Sequence, residues 1–115
     1  MSREVDRQII YFRNYFQDYY FDLDEKTQGK IDHVLDLIKS VAIIPRHYVK
    51  HVTGSQNIYE IRVYGRNRSI RLMSFFDRND QIVILNCFNK KSQKIPKKEI
   101  KLAESLKEQY QNEKI

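Results

Sequence analysis

The strongest constraint on the fold of this chain is a change in hydrophobic periodicity near its middle. Before Gly54, apolar residues recur at three- and four-residue spacing, which is typical of amphipathic helices. From Ile58 onward they recur mainly at every second residue, the spacing of strands that bury one face. A helical first half and a largely extended second half predict an α+β domain.

Two helices are predicted in the first half, after a short opening strand at residues 4–11. The first spans Phe12–Phe21, and its aromatic side chains share one face that we expect to pack in the core. They are Phe12, Tyr15, Phe16, Tyr19 and Tyr20. The second begins after Asp24, whose carboxylate can accept from N–H groups of the first turn, and it ends before Pro45. Its apolar stripe is Ile31, Val34, Leu35, Ile38 and Val41.

Three antiparallel strands and a final helix are predicted in the second half. The strands are Ile58–Tyr64, Arg68–Phe76 and Gln81–Phe88, joined by turns at Gly65-Arg66-Asn67 and Arg78-Asn79-Asp80. Pro96 suits the first position of the last helix because its missing N–H costs nothing there. The predicted order is β-α-α-β-β-β-α. It forms one domain, residues 1–115, with helices packed on one face of a twisted, mainly antiparallel sheet.

Length, hydropathy and cysteine usage narrow the class of protein. The chain has 115 residues, 41% hydrophobic and 31% charged, as expected of one soluble domain with a single core. It lacks the apolar stretch of a signal peptide and any run of about 18 apolar residues. We therefore expect a cytoplasmic protein without a membrane partner. Cys87 lies in an apolar strand, which raises a thiol's pKa, so it is predicted to be a core residue in a reducing compartment.

The net charge of +6 is confined to the second half of the chain. Residues 1–57 contain eight Lys/Arg and eight Asp/Glu, whereas residues 58–115 contain thirteen and seven. Such an asymmetry indicates a polyanionic partner, most often a nucleic acid. A solvated lysine-rich face that keeps the protein soluble explains the charge alone equally well.

Motifs for metal or cofactor chemistry are missing from the sequence. The three histidines have no metal-ligand spacing with the cysteine or with carboxylates. There is no phosphate-binding glycine loop, nucleophile elbow or acidic metal cluster. The sequence therefore predicts no metal and no cofactor, and it favours a metal-independent mechanism.

Two strand arginines are the first candidates for binding an anion. Arg62 lies on the non-core face of its strand, and Arg71 stands within an apolar strand. A guanidinium in such a position loses hydration energy unless it meets an anion. That anion is either a structural partner, Glu60 or Asp77, or a phosphate held by the planar guanidinium forks.

A run of lysines leads from the last strand into the last helix. Residues 86–101 contain one glutamate and six lysines: Lys90, Lys91, Lys94, Lys97, Lys98 and Lys101. Cations at a helix N-terminus oppose the helix dipole, whose positive end favours anions. This unfavourable placement indicates that an anion binds there, which is stronger evidence than the count of charges.

Such a cationic site can cleave RNA without a metal, because RNA carries its own nucleophile, the 2′-hydroxyl. The protein must align the attack, neutralise charge on the phosphoryl oxygens and assist two proton transfers. Arginines and lysines suit the second task. The candidates for proton transfer are His51, Tyr64 and a lysine whose pKa is depressed by neighbouring cations.

Three ordered blocks of sequence carry a resemblance to a known family. They are Ile58-Tyr59-Glu60-Ile61-Arg62-Val63, then Ser69-Ile70-Arg71-Leu72 with Phe75-Phe76-Asp77, and then Phe88-Asn89-Lys90-Lys91-Ser92-Gln93-Lys94-Ile95-Pro96-Lys97-Lys98-Glu99-Ile100. Upstream, Tyr48-Val49-Lys50-His51-Val52 followed by Gly54 is similar as well. Together they resemble the RelE/HigB-type toxins of toxin–antitoxin systems, in particular the phage-derived HigB-like branch.

The resemblance implies a microbial RNase-like (RelE-like) fold, cleavage of mRNA in the ribosomal A site, contact with ribosomal RNA, and a cognate antitoxin with a helix-turn-helix domain. The catalytic residues it implies are Arg62, Arg71, Lys90, Lys91 and Lys94, with His51 and Tyr64 placed by position only. Those expected to bind RNA or the ribosome are Lys50, Arg68, Lys97, Lys98 and Lys101. The family usually has threonine where Ser92 and Ile95 stand, and isoleucine cannot cap the last helix.

The leading hypothesis is a toxin that acts as a ribosome-dependent mRNA endoribonuclease and inhibits translation. The sequence shows no unmistakable general base, which leaves open a catalytically weak or inactive RelE-like protein that only binds RNA or its antitoxin. An unrelated nucleic-acid-binding module needs a reading helix or an exposed aromatic platform. The aromatic residues here follow the periodicity of a core instead.

Overall fold

The computed structural model describes residues 5–114, apart from the side chain of Asn79. Its elements are β1 (Ile9–Tyr11), α1 (Tyr15–Phe21), α2 (Glu25–Ser40), β2 (Val49–His51), β3 (Tyr59–Gly65), β4 (Arg68–Asp77), a 3-10 turn (Arg78–Asp80), β5 (Gln81–Asn89) and α3 (Lys97–Glu113). The five strands form one sheet in the order β1-β5-β4-β3-β2. Among the described residues, β1 alone pairs in parallel, and the other neighbouring strands are antiparallel. The predicted α+β class and element order are confirmed, with β2 as an additional short edge strand.

Both faces of the sheet are covered, by different helices. On one face α1 and α2 pack on a core that includes Ile61, Leu72 and Ile84. On the other face α3 packs on a core that includes Phe75 and Leu85. The prediction placed all helices on one face, and α3 differs from it. The reason is that the internal strands carry apolar side chains on both faces of the sheet, so each face must be covered by a helix.

The long helix α2 follows its sequence pattern closely. The Asp24 carboxylate accepts from the Thr27 backbone N–H at 3.3 Å and from the Thr27 hydroxyl at 2.6 Å, which confirms the predicted cap. The predicted stripe is buried at Ile31, Val34, Leu35 and Ile38. Val41 stands at the C-cap, one residue past the helix.

The N-terminal elements begin later than the sequence pattern indicates. Residue 4 lies outside the described part of the chain, and β1 starts only at Ile9. Arg7 is buried instead of extending the strand, and its guanidinium donates to the Ile38 carbonyl at 2.5 Å and the Val41 carbonyl at 3.0 Å. A cation at a helix C-terminus is favourable, so Arg7 stabilises the end of α2.

The first helix starts at Tyr15 because the backbone turns sharply before it. Arg13 has φ 63°, in the left-handed region that a non-glycine residue rarely adopts. As a result Phe12 packs in the core under α3, while Phe16 packs in the core under α1 and α2. The predicted aromatic face is therefore divided between the two faces of the sheet.

The turns and helix start in the second half lie close to their predicted places. Asp80 has φ 57° in the tight turn between β4 and β5, in keeping with the tolerance of aspartate for that conformation. Pro96 occupies the N-cap position, one residue before α3. Within residues 5–114, no helix is both long and apolar enough to cross a membrane.

Candidate functional site

Four cationic residues of the second half, together with Lys50, line a groove on the α3 side of the sheet. The groove lies between β2 and β3 on one side and the segment from the end of β5 to the start of α3 on the other. Its volume is about 540 Å³. We call it the lysine groove, and its charged lining consists of Lys50, Glu60, Arg62, Lys90, Lys94 and Lys97. Five cations against one carboxylate give this lining a net charge of +4.

Glu60 is the buried centre of the site. Its side chain is 4% exposed, and its Oε1 lies 2.5 Å from the Arg62 Nε and 3.4 Å from the Arg71 Nε. The two arginines are direct partners across β3 and β4, where like charges repel. Glu60 therefore neutralises the repulsion between them, and the structural ion pair considered from the sequence is present for both.

The two arginines differ in what they can reach. Arg62 is 21% exposed and lines the lysine groove. Arg71 is only 4% exposed and donates to the Ile70 carbonyl at 3.1 Å and to the Tyr64 hydroxyl at 3.4 Å. Its guanidinium carbon also lies 5.1 Å from the centre of the Tyr64 ring. A ligand in the groove can therefore contact Arg62 directly, whereas Arg71 acts through Glu60.

Backbone and side-chain hydrogen bonds hold the lysine segment beside the sheet. The Lys90 N–H donates to the Ser69 carbonyl at 2.7 Å, and the Ser69 N–H donates to the Asn89 side chain at 3.0 Å. The Ser92 hydroxyl donates to the Lys94 carbonyl at 2.9 Å and closes the following turn. These bonds extend the β4–β5 pairing by one residue and direct the segment along the groove.

A buried amide fixes the start of α3, and sequence reasoning missed it. Asn86 is 1% exposed, and its Nδ2 donates to the Glu99 carbonyl at 3.1 Å and to the Glu99 carboxylate at 2.9 Å. Glu99 is the acidic residue of the first turn of α3, where it offsets the repulsion between the helix dipole and the lysines. The signal in the sequence was a polar residue that interrupts the apolar run of β5.

The lysine groove brings together six of the predicted site residues. They are Lys50, His51, Arg62, Lys90, Lys94 and Lys97, with Arg71 buried beside them. The side chains of Lys91, Lys98 and Lys101 are exposed on the same segment but do not line the groove. Tyr64 is 54% exposed and stands next to Arg71, outside the groove.

Two predicted residues have side chains on the opposite face of the sheet. The ring of His51, which borders the groove, packs edge-on against Tyr59 at 5.2 Å, and Tyr59 belongs to the core under α1 and α2. Arg68 is two residues before Ile70 in β4, so its side chain lies on the same face of the sheet as that core. Its positive charge acts to lower the pKa values of Asp24 and Tyr19. Arg68 is not among the residues that line the groove, whereas His51 borders it together with Arg62.

The arrangement suits a phosphodiester and a proton transfer beside it. The lysines and Arg62 can neutralise charge on phosphoryl oxygens, and Glu60 is the carboxylate that reaches the same groove. Sequence reasoning considered Glu60 only as a structural partner. Its place on the same strand face as Arg62 was the available signal for a role in the site.

Cys87 lies near the site but belongs to the core. It packs against the core under α1 and α2, and burial, together with the negative charge of Glu99, raises the pKa of its thiol. The prediction that it is not a nucleophile agrees with this environment. Among the described residues, no three His, Cys, Asp or Glu side chains lie close enough together to hold a metal ion.

Comparison with known proteins gives one family. A search of curated proteins found no match for the chain. The family model of the phage derived protein Gp49-like (DUF891) matches residues 18–108, which include α2, every strand from β2 to β5, and most of α3. That match contains all the residues of the lysine groove. The chain therefore belongs to the Gp49-like family of phage-derived proteins.

Proposed function

We propose that this protein is a RelE/HigB-type toxin of a toxin–antitoxin pair and cleaves mRNA on the ribosome. The observation that carries the proposal is that the carboxylate of Glu60 lines the lysine groove together with five cations. Membership of the Gp49-like family is consistent with the toxin half of such a pair. The cations match a phosphodiester in charge, and the carboxylate supplies a proton acceptor next to it.

The proposed reaction needs no bound group beyond RNA itself. Glu60 accepts the proton of the 2′-hydroxyl, and the 2′-oxygen attacks the adjacent phosphorus. Arg62 and Lys90 neutralise the charge that develops on the phosphoryl oxygens. The bond from phosphorus to the 5′-oxygen breaks, and Lys94 donates a proton to that oxygen. The products are a 2′,3′-cyclic phosphate and a 5′-hydroxyl end.

The exposed lysines beside the groove are assigned to binding. We assign Lys98 and Lys101 to ribosomal RNA as expected, and Lys91 as well in place of its expected catalytic role, because all three are exposed near the groove without lining it. The cognate antitoxin with its helix-turn-helix domain is expected to prevent this contact. This pairing can be tested on the neighbouring gene. A short helix-turn-helix reading frame directly beside the gene for this protein supports a toxin–antitoxin pair, and its absence weakens that proposal.

A second candidate function is favoured by the ion pairs at the centre of the site. Because Glu60 contacts both Arg62 and Arg71, its carboxylate is already engaged in the free protein. A site of this kind suits a protein that binds RNA, or only its antitoxin, without cutting. Cleavage requires that bound phosphate draw Arg62 away from Glu60, so the two candidates differ in the fate of one ion pair.

Inducible expression followed by mapping of mRNA ends on ribosomes tests the proposal. The wild-type chain is compared with Arg62→Ala, Glu60→Gln and the control Arg66→Ala, whose side chain is exposed in the turn before β4. We expect codon-positioned cuts from the wild type and the control, and their loss from both site variants. Growth arrest without such cuts contradicts the nuclease and supports the binding-only candidate. Cuts that persist in Arg62→Ala and Glu60→Gln contradict the site.

A further inference from the structure

A second groove of about 470 Å³ runs between α2 and the edge of β3. We call it the helix groove, and the residues that bear on its role are Lys26, Gly29, Lys30, His33, Arg62 and Tyr64. Among the residues that the structure describes, no carboxylate lines it. None of its lysines was assigned a role from the sequence.

The two grooves meet at Arg62, because the edge of the sheet is open there. β2 pairs only with Tyr59–Ile61 of β3, and the Arg62 N–H makes one more bond, to the Tyr48 carbonyl at 2.7 Å. β3 continues to Gly65 beyond the end of this pairing. Arg62 lines both grooves, so a chain of phosphates can pass from one to the other around the edge of β3.

The wall of the helix groove concentrates positive charge on one face of α2. Lys26, Lys30 and His33 follow each other at spacings of four and three residues, so they share a face of the helix. Lysines four residues apart on a helix repel each other. Within residues 5–114, none of the three forms an ion pair with a carboxylate. No carboxylate of the described residues therefore forms a close ion pair with this charge.

Gly29 lies in the same wall, and no neighbouring atom is close enough to require a glycine there. Gly29 lies inside α2, where glycine is less favourable than alanine. A Cβ atom at this position meets nothing within 4 Å, so alanine would fit. The missing side chain does lower the wall between Lys26 and Lys30. A ligand can therefore approach the helix backbone closely at this point.

We infer that the helix groove binds the continuation of the RNA strand whose scissile phosphate lies in the lysine groove. Lys26 and Lys30 contact phosphates, and the exposed ring of Tyr64 stacks on a base at the edge between the grooves. The inference rests on the proposed function for the identity of the polyanion. It adds a second binding segment, so the footprint of the protein extends beyond the nucleotides at the cut.

Fluorescence anisotropy with uncleavable RNA tests this inference on the full chain. The probes are 2′-O-methyl oligonucleotides of three and nine nucleotides, and the variants are Lys30→Gln and the matched control Lys39→Gln, which is on α2 but outside the groove. We expect the wild type to bind the nine-mer at least ten-fold more tightly than the three-mer. Lys30→Gln should lose about five-fold for the nine-mer and reduce the salt slope of log K by about 0.7. Lys39→Gln should change neither.

A second variant tests the shape of the groove without changing its charge. Gly29→Gln places a side chain in the gap of the wall, and the better helix propensity of glutamine keeps the melting temperature from falling. We expect its affinity for the nine-mer to fall at least five-fold. Wild-type affinity in either Gly29→Gln or Lys30→Gln overturns the inference, as does an equal loss in Lys39→Gln.

The outcome is separable from that of the proposed function. Binding of the nine-mer that depends on Lys30, without codon-positioned cuts, overturns the nuclease and supports the second segment. If mRNA is cut on ribosomes but Lys30→Gln binds the nine-mer as tightly as the wild type, the helix groove is not an RNA-binding segment and the nuclease proposal stands. If Lys30→Gln binds the nine-mer normally but is lost from purified ribosomes, the groove belongs to ribosomal RNA and the inference is wrong.

Discussion

Replacing Glu60 by glutamine is expected to destabilise the protein more than replacing Arg71, the more buried of the two arginines that Glu60 neutralises. The substitution keeps the shape of the side chain but leaves Arg71, which is 4% exposed, without a counter-charge. Breaking a buried ion pair by removing one partner costs about 3–5 kcal/mol. Arg62 is 21% exposed and can turn toward water, and Arg71 keeps its bonds to Ile70 and Tyr64. We therefore expect the lower end, about 3 kcal/mol.

A loss of this size is a large part of the stability of a small domain, which is about 5–15 kcal/mol. At about 4 °C per kcal/mol, the melting temperature should fall by roughly 12 °C. Arg71→Met is the informative comparison, because it removes the buried cation while Glu60 keeps Arg62 at 2.5 Å. We expect Arg71→Met to cost about 1 kcal/mol, within the range of an ordinary substitution.

The double variant Glu60→Gln/Arg71→Met gives the decisive result. With the buried cation gone, the amide leaves no uncompensated charge, so the double variant should be more stable than Glu60→Gln alone. Urea unfolding with free energies extrapolated to water measures all four proteins, and equal m-values confirm that the same transition is compared. A loss below about 1 kcal/mol in Glu60→Gln, or no recovery in the double variant, refutes the reasoning.

Three further predictions concern the cores and titrating groups. Ile38→Ala, at a fully buried position, should cost about 2–5 kcal/mol in urea unfolding, whereas Ile43→Ala, at a position that is 88% exposed, should stay within about 0.5 kcal/mol. The Lys114 ammonium lowers the pKa of Asp77, so this pair stabilises the fold above the ordinary carboxyl range and loses its effect as pH falls through the lowered pKa. Asp77→Asn should therefore lower the melting temperature at neutral pH and not at about pH 2, and an equal shift at both contradicts the ion pair. Burial raises the pKa of Cys87, so its alkylation should be slow in the native protein and fast in urea, and equal rates contradict its burial.

The strands of the second half could be predicted because two local signals agree. Alternation of apolar residues marks each strand, and the turns contain residues that tolerate a left-handed backbone, as Asn67 and Asp80 do with φ 57°. The start of α1 could not be predicted in this way. Arg13 adopts φ 63° although arginine has no local preference for it, and this turn places Phe12 and Phe16 on opposite faces of the sheet.

The face that α3 covers also depends on more than its own sequence. An apolar stripe shows that a helix packs on something, but it does not tell on which side of a sheet. The packing of α3 on β5 decides this, and Asn86 of β5 takes part in it by donating to Glu99 in the first turn of α3. That pair joins residues thirteen positions apart, and its register follows from the packing of the helix on the strand.

Sequence reasoning found the cations of the site better than the group between them. Alternation and helix-dipole arguments identified Arg62 and the lysines, since each depends on near neighbours in the chain. The shared role of Glu60 depends on the register that sets Arg62 opposite Arg71, which emerges only when β3 and β4 pair. The face of the sheet on which the His51 side chain lies could not be predicted, because the three-residue strand β2 was not identified from its sequence.

The parallel pairing of β1 with β5 sets the order in which this fold can assemble during synthesis. Ile9 pairs with Ile82, so the first strand waits for a partner near the other end of the chain. Closing so long a loop comes late in folding, after local helices and hairpins have formed. The lysine groove requires the end of β5 and the first turn of α3, which emerge later still. A nascent chain that has not yet reached the first turn of α3 therefore lacks the lysine groove, and under the proposed function it has no site with which to act on the ribosome that makes it.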